Sequence, residues 1–220
     1  MLSSNTEDYL KAIYELLEDS GRVTTSALAE RLTVAPASVT EMVQKLARMQ
    51  PALVDYERHR GVALTEAGRK IALEVIRHHR LIELYLAEAL GYGWHEVHAE
   101  AERLEHVISE EFEDKIAAAL GDPERDPHGD PIPTREGEVA EPCRRALSQV
   151  TAGETVRVAR VRDEDPAFLT HLTELGLVLR APLRVTRAPE GGPLSVEVAG
   201  STRELERAIT DHVFVEAVGV

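Results

Sequence analysis

The 220-residue sequence has one cysteine, Cys143, so no disulfide can form within the chain and a reducing cytoplasm is the expected home. It has no apolar run near the roughly 20 residues that a bilayer-spanning helix needs. The opening "MLSSNTEDYLKAIYELL" lacks the basic start and apolar centre of a secretory signal, so no membrane partner is expected. There is no glycine-rich phosphate loop and no nucleophile–base arrangement, which removes the usual sequence signs of an enzyme. An excess of positive charge is missing too. The 25 Lys and Arg stand against 39 Asp and Glu, a net charge of −14, which at face value argues against nucleic acid.

The charge is unevenly spread. Residues 76–140 carry 6 Lys and Arg against 16 Asp and Glu, a net of −10, whereas 1–75 (9 against 11) and 141–220 (10 against 12) are each at −2. His78, His79, His95, His98 and His106 share the acidic middle. Such a segment between two nearly balanced ends suggests a cation site flanked by modules with other tasks, although a solubilising acidic surface has the same composition.

Helical spacing of Leu10, Ile13, Leu16 and Leu17 after an Asn or Thr cap predicts a helix over 5–18. A second is predicted near 25–32, and Pro36 suits the first position of a third, "PASVTEMVQKLARM". Two short apolar runs around a polar, glycine-ended tip in "ALVDYERHRGVALT" predict a β-hairpin. That order is a winged helix-turn-helix, domain 1–75. Thr65 caps a long helix ending before "GYG", and a further helix is expected over about 95–119, giving a helical domain 76–140. "GDPERDPHGDPIPTREGEV" reads as an ordered, irregular linker. From about 149 to 220, short β-rich runs interrupted by "DPAFLTHLTEL" predict a small barrel. The fold class is therefore mainly α with a smaller β module.

Two constellations carry chemistry. On the third helix, Val39, Met42, Val43 and Leu46 share one side. Ala37, Ser38, Thr40, Glu41, Gln44 and Arg48 are left to face a major groove, where Gln suits adenine and Glu suits cytosine. Arg58 and Arg60, with His59, form the hairpin tip and suit phosphate or minor-groove contact. The second constellation is "HAEAERLEH". With about 100° of turn per residue, and His98 at zero, Glu102 falls near ~40°, Glu105 near ~340° and His106 near ~80°. His79 and Glu83 repeat the i, i+4 spacing on the preceding helix. Oxygen and nitrogen donors without thiolate favour Mn²⁺ or Fe²⁺. A di-metal oxidase would need four long helices, and only two lie beyond the helix-turn-helix, so no enzyme is expected.

The stretches "TEDYLKAIYEL", "PASVTEMVQKLARM", "RHHRLIE", "VHAEAERLEHVISEE" and "GDPIP" resemble the diphtheria toxin repressor and manganese transport regulator family of metal-dependent transcriptional repressors. The β module resembles the SH3-like (FeoA-like) domain of its longer members. The resemblance implies a homodimer with its interface in 66–119 and double-stranded operator DNA as partner. It implies a primary metal site of Asp8, Glu102, Glu105 and His106. It also implies an ancillary site of His79, Glu83 and His98, completed by Glu164 in preference to Asp163 or Asp165. Iron-responsive members carry cysteine where this chain has Glu102 and methionine where it has Asp8, so the implied cofactor is Mn²⁺, with Fe²⁺ as the alternative. Short manganese regulators carry glutamate where this chain has Lys11, a fixed cation that disfavours a closely spaced two-metal cluster. Outside the family, the competing reading is a metal-buffering protein.

Overall fold

The computed structural model describes residues 2–17, 21–162 and 165–218. The chain divides into two compact units. The first runs to His79 and takes in Glu105–Ile108 and Pro133–Glu138; the second holds Arg80–Leu104, Ser109–Ile132 and the chain from Val139. Among the described residues no helix is long and apolar enough to cross a membrane.

In the first unit, α1 (Ser4–Leu17) buries Tyr9, Leu10 and Ile13, and α2 (Thr25–Arg31) starts where Thr24 Oγ1 accepts the Ala27 N–H at 3.1 Å. Pro36 opens α3 (Pro36–Ala47), whose Val39, Val43 and Leu46 are fully buried. Burying each such side chain stabilises the fold by about 1.5–3 kcal/mol. Strands β1 (Val54–Glu57) and β2 (Gly61–Leu64) pair antiparallel, Val54 opposite Leu64, and Val23 bridges Val62 through two 2.8 Å hydrogen bonds. This is the expected winged helix-turn-helix. Thr65 Oγ1 accepts from Gly68 N at 3.2 Å and donates to the Ala52 carbonyl at 2.7 Å, starting α4 (Glu66–Leu90).

The helix expected over 95–119 is two helices, α5 (Val97–Leu104) and α6 (Glu110–Ala119). One long-range bond and one local cap explain the break. His78 Nδ1 lies 3.0 Å from the Glu105 carbonyl, and Ser109, in extended conformation, caps α6 by accepting the Phe112 N–H at 3.3 Å. The helical wheel therefore carries Glu102 but stops short of Glu105 and His106.

The linker has no helix or strand over residues 121–145, and its backbone is nevertheless tied down. Arg77 donates to the Pro133 carbonyl in the first unit, and Arg80 to the Pro131 carbonyl in the second. The second unit ends in an antiparallel sheet of order β6-β5-β4-β3-β7. Its strands are β3 (Thr155–Val161), β4 (Pro182–Arg187), β5 (Leu194–Val198), β6 (Ser201–Leu205) and β7 (Val213–Ala217). Alternate residues such as Val156, Val158, Leu183, Val185, Val196 and Val198 point into one core with Leu169 and Leu172 of α7 (Pro166–Leu175).

Gly61 has φ +95°, and a Cβ there would sit 2.4 Å from the Val23 carbonyl oxygen. Gly61→Ala should therefore destabilise the first unit by about 1–3 kcal/mol, read as a lower urea midpoint by circular dichroism. An unchanged midpoint would show that the Val23–Val62 bridge is dispensable.

Candidate metal centres and nucleic-acid interface

The first group forms within the first unit. Asp8 comes from α1; Glu105 and His106 come from the turn after α5. One donor atom from each lies within 4.8 Å of the others. His106 Nε2 is 2.7 Å from Asp8 Oδ1 and 3.3 Å from Glu105 Oε1, and its Nδ1 is 2.7 Å from Glu7 Oε2. Glu105 is 1 % exposed. Its two oxygens accept from Lys11 Nζ at 3.1 and 2.8 Å, and Oε2 also meets His79 Nδ1. Two carboxylates and an imidazole fit a hard divalent cation. Glu7 takes the second ring nitrogen of His106, which is how an outer carboxylate sets the orientation of a ligating histidine.

The second group forms within the second unit, from Glu83 on α4 and Asp126 and His128 in the linker, all buried and within the same 4.8 Å limit. Asp126 Oδ1 accepts the backbone N–H groups of His128 and Asp130 at 2.8 and 2.9 Å. His128 Nε2 donates to the Trp94 carbonyl at 2.8 Å, which leaves Nδ1 facing Glu83 Oε2 at 3.7 Å. His98 Nδ1 lies 3.4 Å from the other Glu83 oxygen. Gly129 lets strand β3 close over this loop: a Cβ there would meet the Ala159 carbonyl oxygen at 2.1 Å. Burial, then the charges of Asp130 and Glu83, push Asp126 up to about 7 against the opposing Arg80 and His128. Burial works against a charged His128, but its pairing with Glu83 outweighs this and raises it to about 9, with help from Asp126 and the Trp94 carbonyl.

The structure thus brings together Asp8, Glu105 and His106 from the expected primary set. Glu102 is exposed in the second unit, with Oε1 3.9 Å from His98 Nε2. Of the expected ancillary set, Glu83 and His98 meet in the second unit, His79 lies in the first beside Glu105 and Lys11, and Glu164 falls outside the described residues. Asp165 is the cap of α7, accepting from Ala167 N at 3.0 Å. Sequence reasoning missed Glu7, Asp126 and His128; an Asp-x-His-Gly run inside a proline-rich loop was the available signal for the last two.

The residues expected to face a nucleic acid lie at the following positions of the first unit. Ala37, Ser38 and Glu41 are exposed on α3 and Arg48 at its C-terminal cap, with Thr40 and Gln44 half-buried beside them. Thr40 Oγ1 donates back to the Pro36 carbonyl at 3.0 Å. Arg58 and Arg60 are exposed at the hairpin tip, where His59 has φ +66° and Arg60 pairs with Glu57 at 2.6 Å.

Three family models match the chain. They are "Iron dependent repressor, N-terminal DNA binding domain" over residues 1–62, "Iron dependent repressor, metal binding and dimerisation domain" over 65–134, and "FeoA domain" over 145–217. The chain is 35 % identical over 231 residues to the iron-dependent repressor IdeR of Mycobacterium tuberculosis, covering 100 % of this chain and 97 % of that protein. It is 33 % identical over 190 residues to the diphtheria toxin repressor of Corynebacterium diphtheriae, covering 84 % and 82 %. A solved manganese-dependent transcriptional repressor in complex with manganese superposes with a TM-score of 0.87 at 41 % identity, covering 97 % of this chain and 100 % of that one.

Asp126 and His128 hold protons in the folded protein at pH values where an unfolded chain, with ordinary values of 3.8 and 6.5, has released them. Their stabilisation is complete below those values and is lost as pH climbs through about 7 and about 9. In chelator, the melting midpoint of the second unit should fall between pH 6.5 and 9, and His128→Gln should flatten that fall. A flat wild-type profile over this range would contradict the buried Glu83–His128 pairing.

Proposed function

The chain belongs to the iron-dependent repressor family of metal-dependent transcriptional repressors, and from that premise we propose that it is a homodimeric, Mn²⁺-activated repressor of metal-uptake genes. The observation that carries this reading is the Asp8–Glu105–His106 group, which joins the first helix of the DNA-binding domain to the turn after α5. We assign residues 1–75 to DNA binding, 76–140 to dimerisation and metal binding, and 149–220 to an SH3-like module. Oxygen donors at Asp8 and Glu105, together with the likeness to a manganese-bound repressor, favour Mn²⁺. The names of the mycobacterial and corynebacterial relatives favour Fe²⁺ as the second reading.

A bound divalent cation would add positive charge between the Asp8 and Glu105 carboxylates and accept the His106 nitrogen as a ligand. Asp8 then holds α1, and with it the core it shares with α2 and α3, against Glu105 and His106. Glu7 keeps the His106 ring turned toward Asp8. Fixing α1 fixes α3, so that two copies across a dimer axis present Ala37, Ser38, Thr40, Glu41, Gln44 and Arg48 to major grooves about 34 Å apart. Loading and DNA binding then strengthen each other reciprocally. Glu83, Asp126 and His128, with His98 alongside, offer a second place for a cation in the other unit.

Selection of sheared genomic fragments on the immobilised protein tests the reading, run with Mn²⁺, with Fe²⁺ under anaerobic conditions, and with chelator. A few discrete fragments enriched only with metal are expected, most strongly with Mn²⁺. The same fragments in chelator would refute metal gating, and no enrichment under any condition would favour a buffering protein. Arg60→Ala should weaken binding to all retained fragments and reduce the salt slope by about 1; a loss confined to one base position would contradict its phosphate role.

A further inference from the structure

Lys11 lies one helical turn beyond Asp8 on α1, and its ammonium enters the same group. Its Nζ is 2.8 and 3.1 Å from the two oxygens of Glu105 and 3.1 Å from His79 Nδ1. Lys11 is 6 % exposed. A carboxylate gripped through both oxygens by one buried cation is held much as a metal would hold it. One of those oxygens, Oε1, is also the atom that faces His106 Nε2 at 3.3 Å. Any cation taking the Asp8–Glu105–His106 group must therefore share Oε1 with Lys11 and sit beside a fixed unit charge.

We propose, resting on the reading of this group as the metal-sensing centre, that Lys11 is a tethered competitor of the metal. Its ammonium holds Glu105 in the unloaded protein and lowers the affinity of the group for a divalent cation. The lysine thereby sets the metal concentration at which the protein responds. A purely stabilising role is a weaker account, because a buried ion pair is commonly no better for stability than packed apolar side chains. A purely orienting role is weaker too. Glu105 is already fixed by complete burial of its side chain and by His79, both of which survive loss of the ammonium. Repulsion between an ammonium and a divalent ion at about 5 Å, even screened as in water, amounts to about tenfold in affinity and grows as the site dries.

The test is Mn²⁺ titration of the full chain, stripped with chelator, by calorimetry and by the electron paramagnetic resonance signal of free Mn²⁺. Glu105→Gln identifies the binding step that belongs to this group. Lys11→Gln should tighten that step by about tenfold or more, while lowering the metal-free melting midpoint. Lys11→Arg, which keeps the charge, should stay within about threefold of the parent. Lys11→Met, matched in length, repeats the measurement should the glutamine variant not fold. If Glu105→Gln abolishes the step but neither neutral variant tightens it, Lys11 is only structural and the competitor role is overturned, with the sensing centre intact. If Glu105→Gln leaves every step unchanged, the centre itself is misassigned and both readings fall.

Discussion

A carboxylate removed from water must be met by cations or hydrogen-bond donors, or the charged form cannot persist. Glu105, 1 % exposed, imposes that requirement on the first unit. Lys11 from α1, His79 from α4 and the adjoining His106 all converge on it, and His78 takes its backbone carbonyl. The helix ends at Leu104, since the next residue spends both its side chain and its carbonyl on partners outside the helix. Glu83 imposes the same requirement on the second unit, where His98 and His128 each face one of its oxygens. Beside its hydrophobic core, each unit therefore holds a buried acid whose partners come from distant stretches of chain.

That arrangement links metal binding to protons. Were Glu83, Asp126 and His128 to hold a cation, the protons that burial and Glu83 keep on Asp126 and His128 near neutral pH would have to leave. Affinity there would then rise with pH over the same range in which the metal-free unit loses stability. At the first group the incumbent is Lys11, a covalently held ammonium that cannot leave the protein. Two sites with similar donors thus face different competitors, one drawn from solvent and one built into α1.

The local grammar of the chain was readable because short-range chemistry decides it. Thr65 caps a helix, Pro36 opens one, and Val39, Val43 and Leu46 mark the buried side of α3, leaving Ala37, Ser38, Glu41 and Arg48 outside. The β module was legible from its alternating valines. The pairing of Asp8 with Glu105 and His106 came from resemblance, not from spacing, and no periodicity connects residues 98 positions apart. The continuous stripe over 98–106 failed for a tertiary reason, since two long-range partners outbid the helix at Glu105. Asp126 and His128 stayed hidden because a loop has no period; their burial depends on strand β3 closing over Gly129, a contact about 30 residues away.

Selectivity and sensitivity in such a centre have separate physical origins. The hardness of the donors decides which ion is preferred: replacing an oxygen by sulfur at Asp8 or Glu105 would change the ranking of metals. Charge decides how much ion is needed. Asp8 and Glu105 together attract a divalent cation, and Lys11 already pairs with Glu105. A sensor tuned by donor type alone would have to trade preference against threshold. Placing a cation beside the ligands, on the helix that must be captured, lets the threshold move while the donor set stays the same.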